Sequence, residues 1–160
     1  WFLLTWTLGG LWVLVTMAAG LAALTSNTTI ELNILGYIGN ALWLFGFAVE
    51  VIADNQKSQF KKDPNNQGRF IRSGLWSWSQ HPNYFGEIIL WFGLALLAFP
   101  VLSGWQLVTL ISPIFVYFLL TKVSGIPILD RMAKEKWGLD SEYINYIKIT
   151  SKLILAPPKK

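Results

Sequence analysis

The fold is decided by Ser77–Leu102, "SWSQHPNYFGEIILWFGLALLAFPVL". Ser77–Glu87 holds the only histidine of the chain, a proline and a carboxylate, and the run that follows carries no charge. From Tyr84 to Leu102 the only charged residue is Glu87. That length is close to the roughly 20 residues an α-helix needs to cross a hydrocarbon core. Three further stretches read the same way. Trp1 to Thr25 and Trp105 to Thr121 carry no charge, and Asn33 to Ala53 carries only Glu50. The expectation is an all-α, polytopic membrane protein forming a single membrane domain over residues 1–160. Four transmembrane helices are predicted over 1–25, 33–53, 84–102 and 105–121, the last continuing past Thr121.

Composition agrees: 53% of the 160 residues are hydrophobic, nine are tryptophan and only 14% are charged. Globular proteins carry about 25% charged residues. All 13 Lys and Arg residues fall between Lys57 and Arg72 or between Lys122 and Lys160. The connections "SNTTIEL" (Ser26–Leu32) and Ser103-Gly104 contain none. Four helices put both basic regions on one side, which the charge rule makes cytoplasmic or the organelle equivalent. The net charge of +4 therefore expresses topology. No basic stripe interleaves with base-stacking aromatics, so nucleic acid is not an expected partner. Without cysteine, disulfides and thiolate metal sites are excluded, and one histidine does not make a zinc or haem site. Trp1 is not a methionine, and the first helix lacks a signal peptide's basic flank and cleavage pattern. An upstream segment is expected.

Along the chain, Glu50 and Asp54 are expected to close the second helix, one turn apart on one face. The basic loop, 55–83, contains the breaker "DPNNQG". Pro113 interrupts the fourth helix. The cytoplasmic C-terminal segment, 122–160, predicts a short helix over Asp130–Trp137 that stops at Gly138. A second covers Ser141–Ile149, with Asp140 or Ser141 as its cap.

Pro82 suits the first position of a helix, where a missing N–H costs nothing. Asn83 and Glu87 then project from one face, and Gly86 permits a close approach to the backbone. Free N–H groups at a helix start favour phosphate, and Lys57, Lys61, Lys62, Arg69 and Arg72 lie on the same side. These features predict a cytoplasmic pocket for a phosphate-bearing ligand, with Arg69 and Arg72 as phosphate partners. Each residue also has a structural alternative: His81 as a helix cap, Glu87 as the partner of a loop cation, the lysines as a topological flank. Trp76, Trp78 and Trp137 are expected to be interfacial anchors. A carboxylate one turn inside a membrane helix is nevertheless costly and marks a functional candidate, and Glu50 invites the same argument.

Two segments carry a family resemblance: "ADNQKSQFKKDPNNQGRFIRSGLWSWSQHPNYFGE" and "LLTKVSGIPILDRMAKEKWGLDSEYINY". Over roughly Tyr37 to Leu155 the chain resembles the membrane family of unknown function allied to steroid 5-alpha-reductases. That superfamily also contains sterol reductases and isoprenylcysteine carboxyl methyltransferases. The resemblance implies a cytoplasmic cofactor, NADPH in the reductases. It implies contacts from Glu50 and Asp54, from Lys61, from Asn83, Tyr84 and Glu87 of the intact Asn-Tyr-Phe-Gly-Glu piece, and from the paired tyrosines Tyr143 and Tyr146. His81 joins this cofactor set. Relatives read Arg-His-Pro-Asn-Tyr where this chain has Gln80, so one phosphate-pairing cation is replaced. Relatives also carry further N-terminal helices that shape the substrate cavity and supply the acid on the enone carbonyl; this sequence is expected to start after them, and no catalytic residue is assigned.

The leading expectation is an NADPH-dependent membrane reductase of a lipid or steroid-like enone. One alternative is a methyltransferase using S-adenosylmethionine on a lipid or prenyl carboxylate, suggested by the shared His-Pro-x-Tyr piece. Another is an accessory subunit of a larger membrane protein complex with a degenerate reductase fold. Membrane lipid and a lipid-like substrate are the expected partners.

Overall fold

The computed structural model describes residues 2–28, 31 and 33–159. Trp1, at the expected start of the first span, Thr29, Ile30 and Leu32 of the first connection, and Lys160 of the C-terminal segment lie outside the described residues. The chain is all-α, and four of its helical stretches are long and apolar enough to cross a membrane: Phe2–Leu24, Ile34–Lys62, Pro82–Val101 and Gly104–Trp137. It is a multi-pass membrane protein.

The α-helices are α1 (Phe2–Leu24), α2 (Ile34–Lys62), α3 (Pro82–Ala98), α4 (Ser112–Phe118), α5 (Ile126–Trp137) and α6 (Ser141–Ile149). α2 does not stop at Ala53. It runs on to Lys62, because "DNQKSQFKK" is polar without being a helix breaker; the breaker comes at Asp63-Pro64, where Asp63 accepts from Asn65 N and caps a 3₁₀ turn. Glu50 and Asp54 thus lie inside α2 and do not end it. The fourth span changes pitch twice. It is 3₁₀ over Gly104–Ile111, α-helical from Ser112, with Pro113 in the first turn of α4, and π-helical over Leu119–Val123. Pro113 thereby marks the point where the pitch changes. α5 stops at Gly138, and Asp140 caps α6 by accepting from Glu142 N, both as expected.

The chain forms two compact units. The first comprises residues 1–45 and 88–119. Here α1 packs on the 3₁₀ stretch Gly104–Ile111 and on α4. Its buried centre is small-sided: Ala19, Ala98 and Leu102, flanked by Ala22, Ala23 and Leu110. Ser26 Oγ donates to Val101 O at 3.0 Å. At Gly93 a Cβ would fall 2.5 Å from Trp43 N and 2.7 Å from Gly39 O, so α2 and α3 touch backbone to backbone. Small residues at such crossings are the usual basis of helix association in lipid, where apolar burial between helices gains little.

The second unit comprises residues 46–87 and 120–160. Within it a Cβ at Gly86 would lie 2.6 Å from Gly46 O and 2.7 Å from Glu50 N. The close approach anticipated at Gly86 is therefore made by α2 itself. Trp76 is buried and donates Nε1–H to Ala53 O at 3.0 Å; its own carbonyl accepts Tyr146 Oη–H at 2.7 Å. Trp137 donates to Gly68 O at 2.6 Å and packs with Tyr143 and the Phe70 ring. Of the three tryptophans expected as interfacial anchors, only Trp78 is largely exposed; Trp76 and Trp137 instead join the connection to α6.

Backbone groups cannot step aside for a methyl, so Gly86→Ala is expected to cost about 1–3 kcal/mol through overpacking. Gly10→Ala, with nothing within 4 Å of its Cβ position, should be neutral or stabilising by about 0.5–1 kcal/mol. Thermal unfolding of both variants in detergent measures the difference.

Candidate functional site

The first turns of α3 present two faces, both within the second unit. Toward α2, Asn83 Nδ2 donates to Asp54 Oδ1 at 3.0 Å. Glu50 lies one turn before Asp54, its backbone against Gly86, and the charges of Glu87 and Asp54 act on it. Glu50, Asp54, Asn83 and Glu87 thus form one polar flank along the α2–α3 contact. Because the two helices meet backbone to backbone at Gly46 and Gly86, nothing passes between them at that level; a ligand must lie along the flank.

On the other face, Tyr84 stacks on the His81 ring at 5.8 Å with 11° between planes, and its ring edge bounds the space at Gly125. His81 is buried, and its Nε2 lies 3.2 Å from Asp130 Oδ1. Asp130 also pairs with Lys152. Burial lowers the His81 pKa below its ordinary value; the Asp130 hydrogen bond and charge oppose this, and Lys152 and Lys57 add to it. Near neutral pH the contact is therefore a hydrogen bond from a neutral imidazole, which assigns the proton to Nε2.

Ser79 and Gln80 hold the C-terminal segment. Ser79 Oγ donates to Leu153 O at 2.8 Å. Gln80 Nε2 donates to Ile147 O at 3.1 Å and Thr150 O at 2.8 Å, satisfying carbonyls left open where α6 ends. Gln80, expected from the family resemblance to replace an arginine, is thus committed to α6.

The remaining candidates are dispersed. Tyr143 and Tyr146 gather around Phe70 at 5.2 and 5.4 Å. Burial pushes both hydroxyls above the usual phenol range, with the Asp130 charge adding at Tyr143 and Tyr143 itself at Tyr146. Tyr146 is occupied as the donor to Trp76 O. Arg72 pairs with Glu142 at 3.0 Å and lies over the Phe70 ring. Arg69 and Lys61 are exposed, and Lys57 Nζ sits 5.0 Å from the Trp76 ring centre. Sequence reasoning missed Asp130 as the partner of His81, and Lys152 as the partner of Asp130. Their signal was a mixed-charge helix and a C-terminal tail, neither of which names a partner far away in the chain. Among the described residues, no group of three His, Cys, Asp or Glu side chains could hold a metal ion.

The family described as "Protein of unknown function (DUF1295)" matches residues 1–150. The chain belongs to it. This is a steroid 5-alpha-reductase-like family, and the similarity extends to individual proteins. Bovine 3-oxo-5-alpha-steroid 4-dehydrogenase 1 is 33% identical over 67 residues, 42% of this chain and 26% of that protein. The Ustilaginoidea virens "Probable O-methyltransferase ustE" is 30% identical over 124 residues, 65% of this chain and 44% of its own length. "Uncharacterized protein C594.04c" of Schizosaccharomyces pombe is 27% identical over 128 residues, 67% of this chain and 36% of that protein. The chain spans between about a quarter and just under half the length of these relatives. No solved structure matches it.

His81, as the only histidine, gives a single imidazole Cε1–H NMR resonance. Its midpoint is expected below 6.5, and Asp130→Asn, which removes the charge opposing burial, should lower it further. The sign for stability follows: the unfolded chain takes up the proton first, so stability falls as pH drops through 6.5 toward the folded value. A native midpoint above 6.5 would refute the assignment of burial as the dominant cause.

Proposed function

We propose that this chain is a membrane-embedded, NADPH-dependent reductase acting on a C=C bond of a lipid or steroid-like enone. The observation that carries the reading is the polar flank of Glu50, Asp54, Asn83 and Glu87, joined by the Asp54–Asn83 hydrogen bond. The similarity to a 3-oxo-5-alpha-steroid 4-dehydrogenase supports it.

The residues present fit such a cofactor. Asn83 gives its N–H to Asp54, which leaves its amide oxygen able to accept from a carboxamide. Glu50, Asp54 and Glu87 are acceptors suited to ribose hydroxyls. Lys57 and Lys61, on the last turns of α2, supply cations for phosphate, with Arg69 and Arg72 beyond them. Tyr84 and Tyr143 offer hydroxyl groups to the cofactor, and Tyr146, held by Trp76 O, supports them from behind. His81, oriented by Asp130, fixes the Tyr84 ring beside the start of α3. When bound, NADPH supplies a hydride for a carbon–carbon double bond conjugated to a carbonyl. The part of the chain is to bind and orient along the flank of α2 and α3, with the lipid-like substrate reached from the membrane. In this reading the basic loop and the C-terminal segment face the cytoplasm or its organelle equivalent.

A second reading, methyl transfer from S-adenosylmethionine, is favoured by the longer match to a probable O-methyltransferase. Titration of the purified chain with each cofactor separates the two. Saturable NADPH binding is expected, with Asn83→Ala and Glu87→Gln each weakening it about tenfold, or about 1.4 kcal/mol. Saturation by S-adenosylmethionine alone would replace the reductase with the methyltransferase. Binding of neither would overturn both and favour the accessory role within a larger complex.

A further inference from the structure

Residues 151–159 follow α6 without helical structure, yet four hydrogen bonds fix their path. Gln80 N donates to Ser151 O at 2.8 Å, Ser79 Oγ to Leu153 O at 2.8 Å, Ala156 N to Trp78 O at 3.2 Å, and Lys159 N to Ile149 O at 2.9 Å. The tail so held forms one wall of an open cavity of about 710 Å³ against α5 and α6. Its lining includes none of Glu50, Asp54, Asn83 or Glu87, so it is distinct from the flank described above, though Tyr143 and Asp130 belong to both the cavity wall and the set assigned to the proposed reductase.

The charge of this cavity is one-sided. Lys134 from α5, Lys148 from α6, and Lys152 and Lys159 from the tail line it, with Asp130 as the single carboxylate. Asp130 is already engaged by Lys152 and by His81. Among the described residues no carboxylate pairs with Lys134, Lys148 or Lys159. Three separate segments thus converge cations on one concave space whose frame is hydrogen-bonded in advance. An ordinary topological flank of lysines has neither the concavity nor the frame.

The surroundings of the cavity are apolar where a water-facing phosphate site would be polar. Ile144 and Ile147 line it and are exposed. Leu139, next to the lining residue Gly138, is fully exposed at 102%, and Ile154 of the tail is 64% exposed. Exposed aliphatic side chains beside lysines are the composition of a surface lying at headgroup level, where stems and aliphatics meet acyl chain and ammonium groups meet phosphate. We propose that this cavity seats the phosphate headgroup of an anionic membrane phospholipid. Lys134, Lys148 and Lys159 neutralise the phosphate, and the exposed aliphatic residues meet the start of its acyl chains. The volume falls within the range of small-molecule sites.

The test uses the full chain in nanodiscs of phosphatidylcholine doped with phosphatidylglycerol, with retained lipid counted by native mass spectrometry. The wild type is expected to retain one phosphatidylglycerol per chain in saturable fashion. Lys134→Gln with Lys148→Gln should weaken that retention at least about tenfold, the size of one lost charge-assisted contact or more. The charge-matched control, Lys62→Gln with Lys122→Gln, should change it less than about twofold, as expected for diffuse surface charge. Lys148→Glu alone provides a second variant at an exposed position, expected to weaken retention likewise. Equal losses in both double variants would overturn the proposal in favour of a general basic flank. Displacement of the lipid by glycerol 3-phosphate or inorganic phosphate would overturn it in favour of a soluble phosphate ligand, and no preference over phosphatidylcholine would overturn it outright.

Discussion

Backbone contact at glycine is the constraint on which the polar flank depends. In the second unit Gly86 meets the carbonyl of Gly46 and the amide of Glu50 at distances no side chain could occupy. Lipid tails are as apolar as leucine, so helices crossing a bilayer gain little by hiding apolar surface from one another. What holds them is close van der Waals approach, and closeness needs glycine. Once α2 and α3 touch at this level, residues one turn away on each helix have no freedom to be far apart. Asp54 then falls within hydrogen-bond distance of Asn83, and Glu50 comes under the charges of Asp54 and Glu87. The small residue is what brings the acids together.

Those acids are a poor choice for packing. Carboxylates within a membrane helix are expensive, and three of them on one flank repel each other. A flank serving only to join two helices would do better with glutamine at one of the positions, keeping the hydrogen bonds without the repulsion. Asp130 shows what a structural carboxylate looks like in the same unit: one oxygen takes the His81 N–H, the other a lysine. Its charge is answered locally. The Glu50–Asp54–Glu87 group gathers three acidic side chains along one flank, with Asn83 donating to Asp54, and that concentration of acceptors is the physical motive for assigning it a ligand with hydroxyl and amide donors.

The four spans were legible because crossing a bilayer is a requirement on length and composition, both of which are local. The stop at Gly138 and the cap at Asp140 were legible for the same reason: each is a one-turn rule. The end of α2 was not, because loss of hydrophobicity at Asp54 signals departure from the apolar layer, whereas a helix ends only where a breaker such as Asp63-Pro64 stands. The pairing within the candidate site was half legible. Asn83 and Glu87 could be placed on one face by spacing alone, and Glu50 and Asp54 on another. Which faces meet depends on Gly46 and Gly86: the close approach at Gly86 was legible, but not that Gly46 and Glu50 of α2 make it. The His81–Asp130–Lys152 chain was not legible at all, since no spacing rule connects a helix start to Asp130 or Asp130 to Lys152.

The polar crowding ahead of α3 therefore divides into separate tasks along a few residues. Ser79 and Gln80 bind the carbonyls of the tail and of α6; His81 reaches α5; Asn83 turns to α2. Gln80 makes the division clearest. An arginine there would bring a positive charge and further donors, some of which could turn toward a phosphate. Glutamine has two amide hydrogens, and both carbonyls recorded for it belong to the end of α6. Gln80 thus anchors the end of α6 without placing a cation at the start of α3. Any anion bound near this end of the second unit must then draw its positive charge from lysines and arginines on α2, the basic loop or the C-terminal segment.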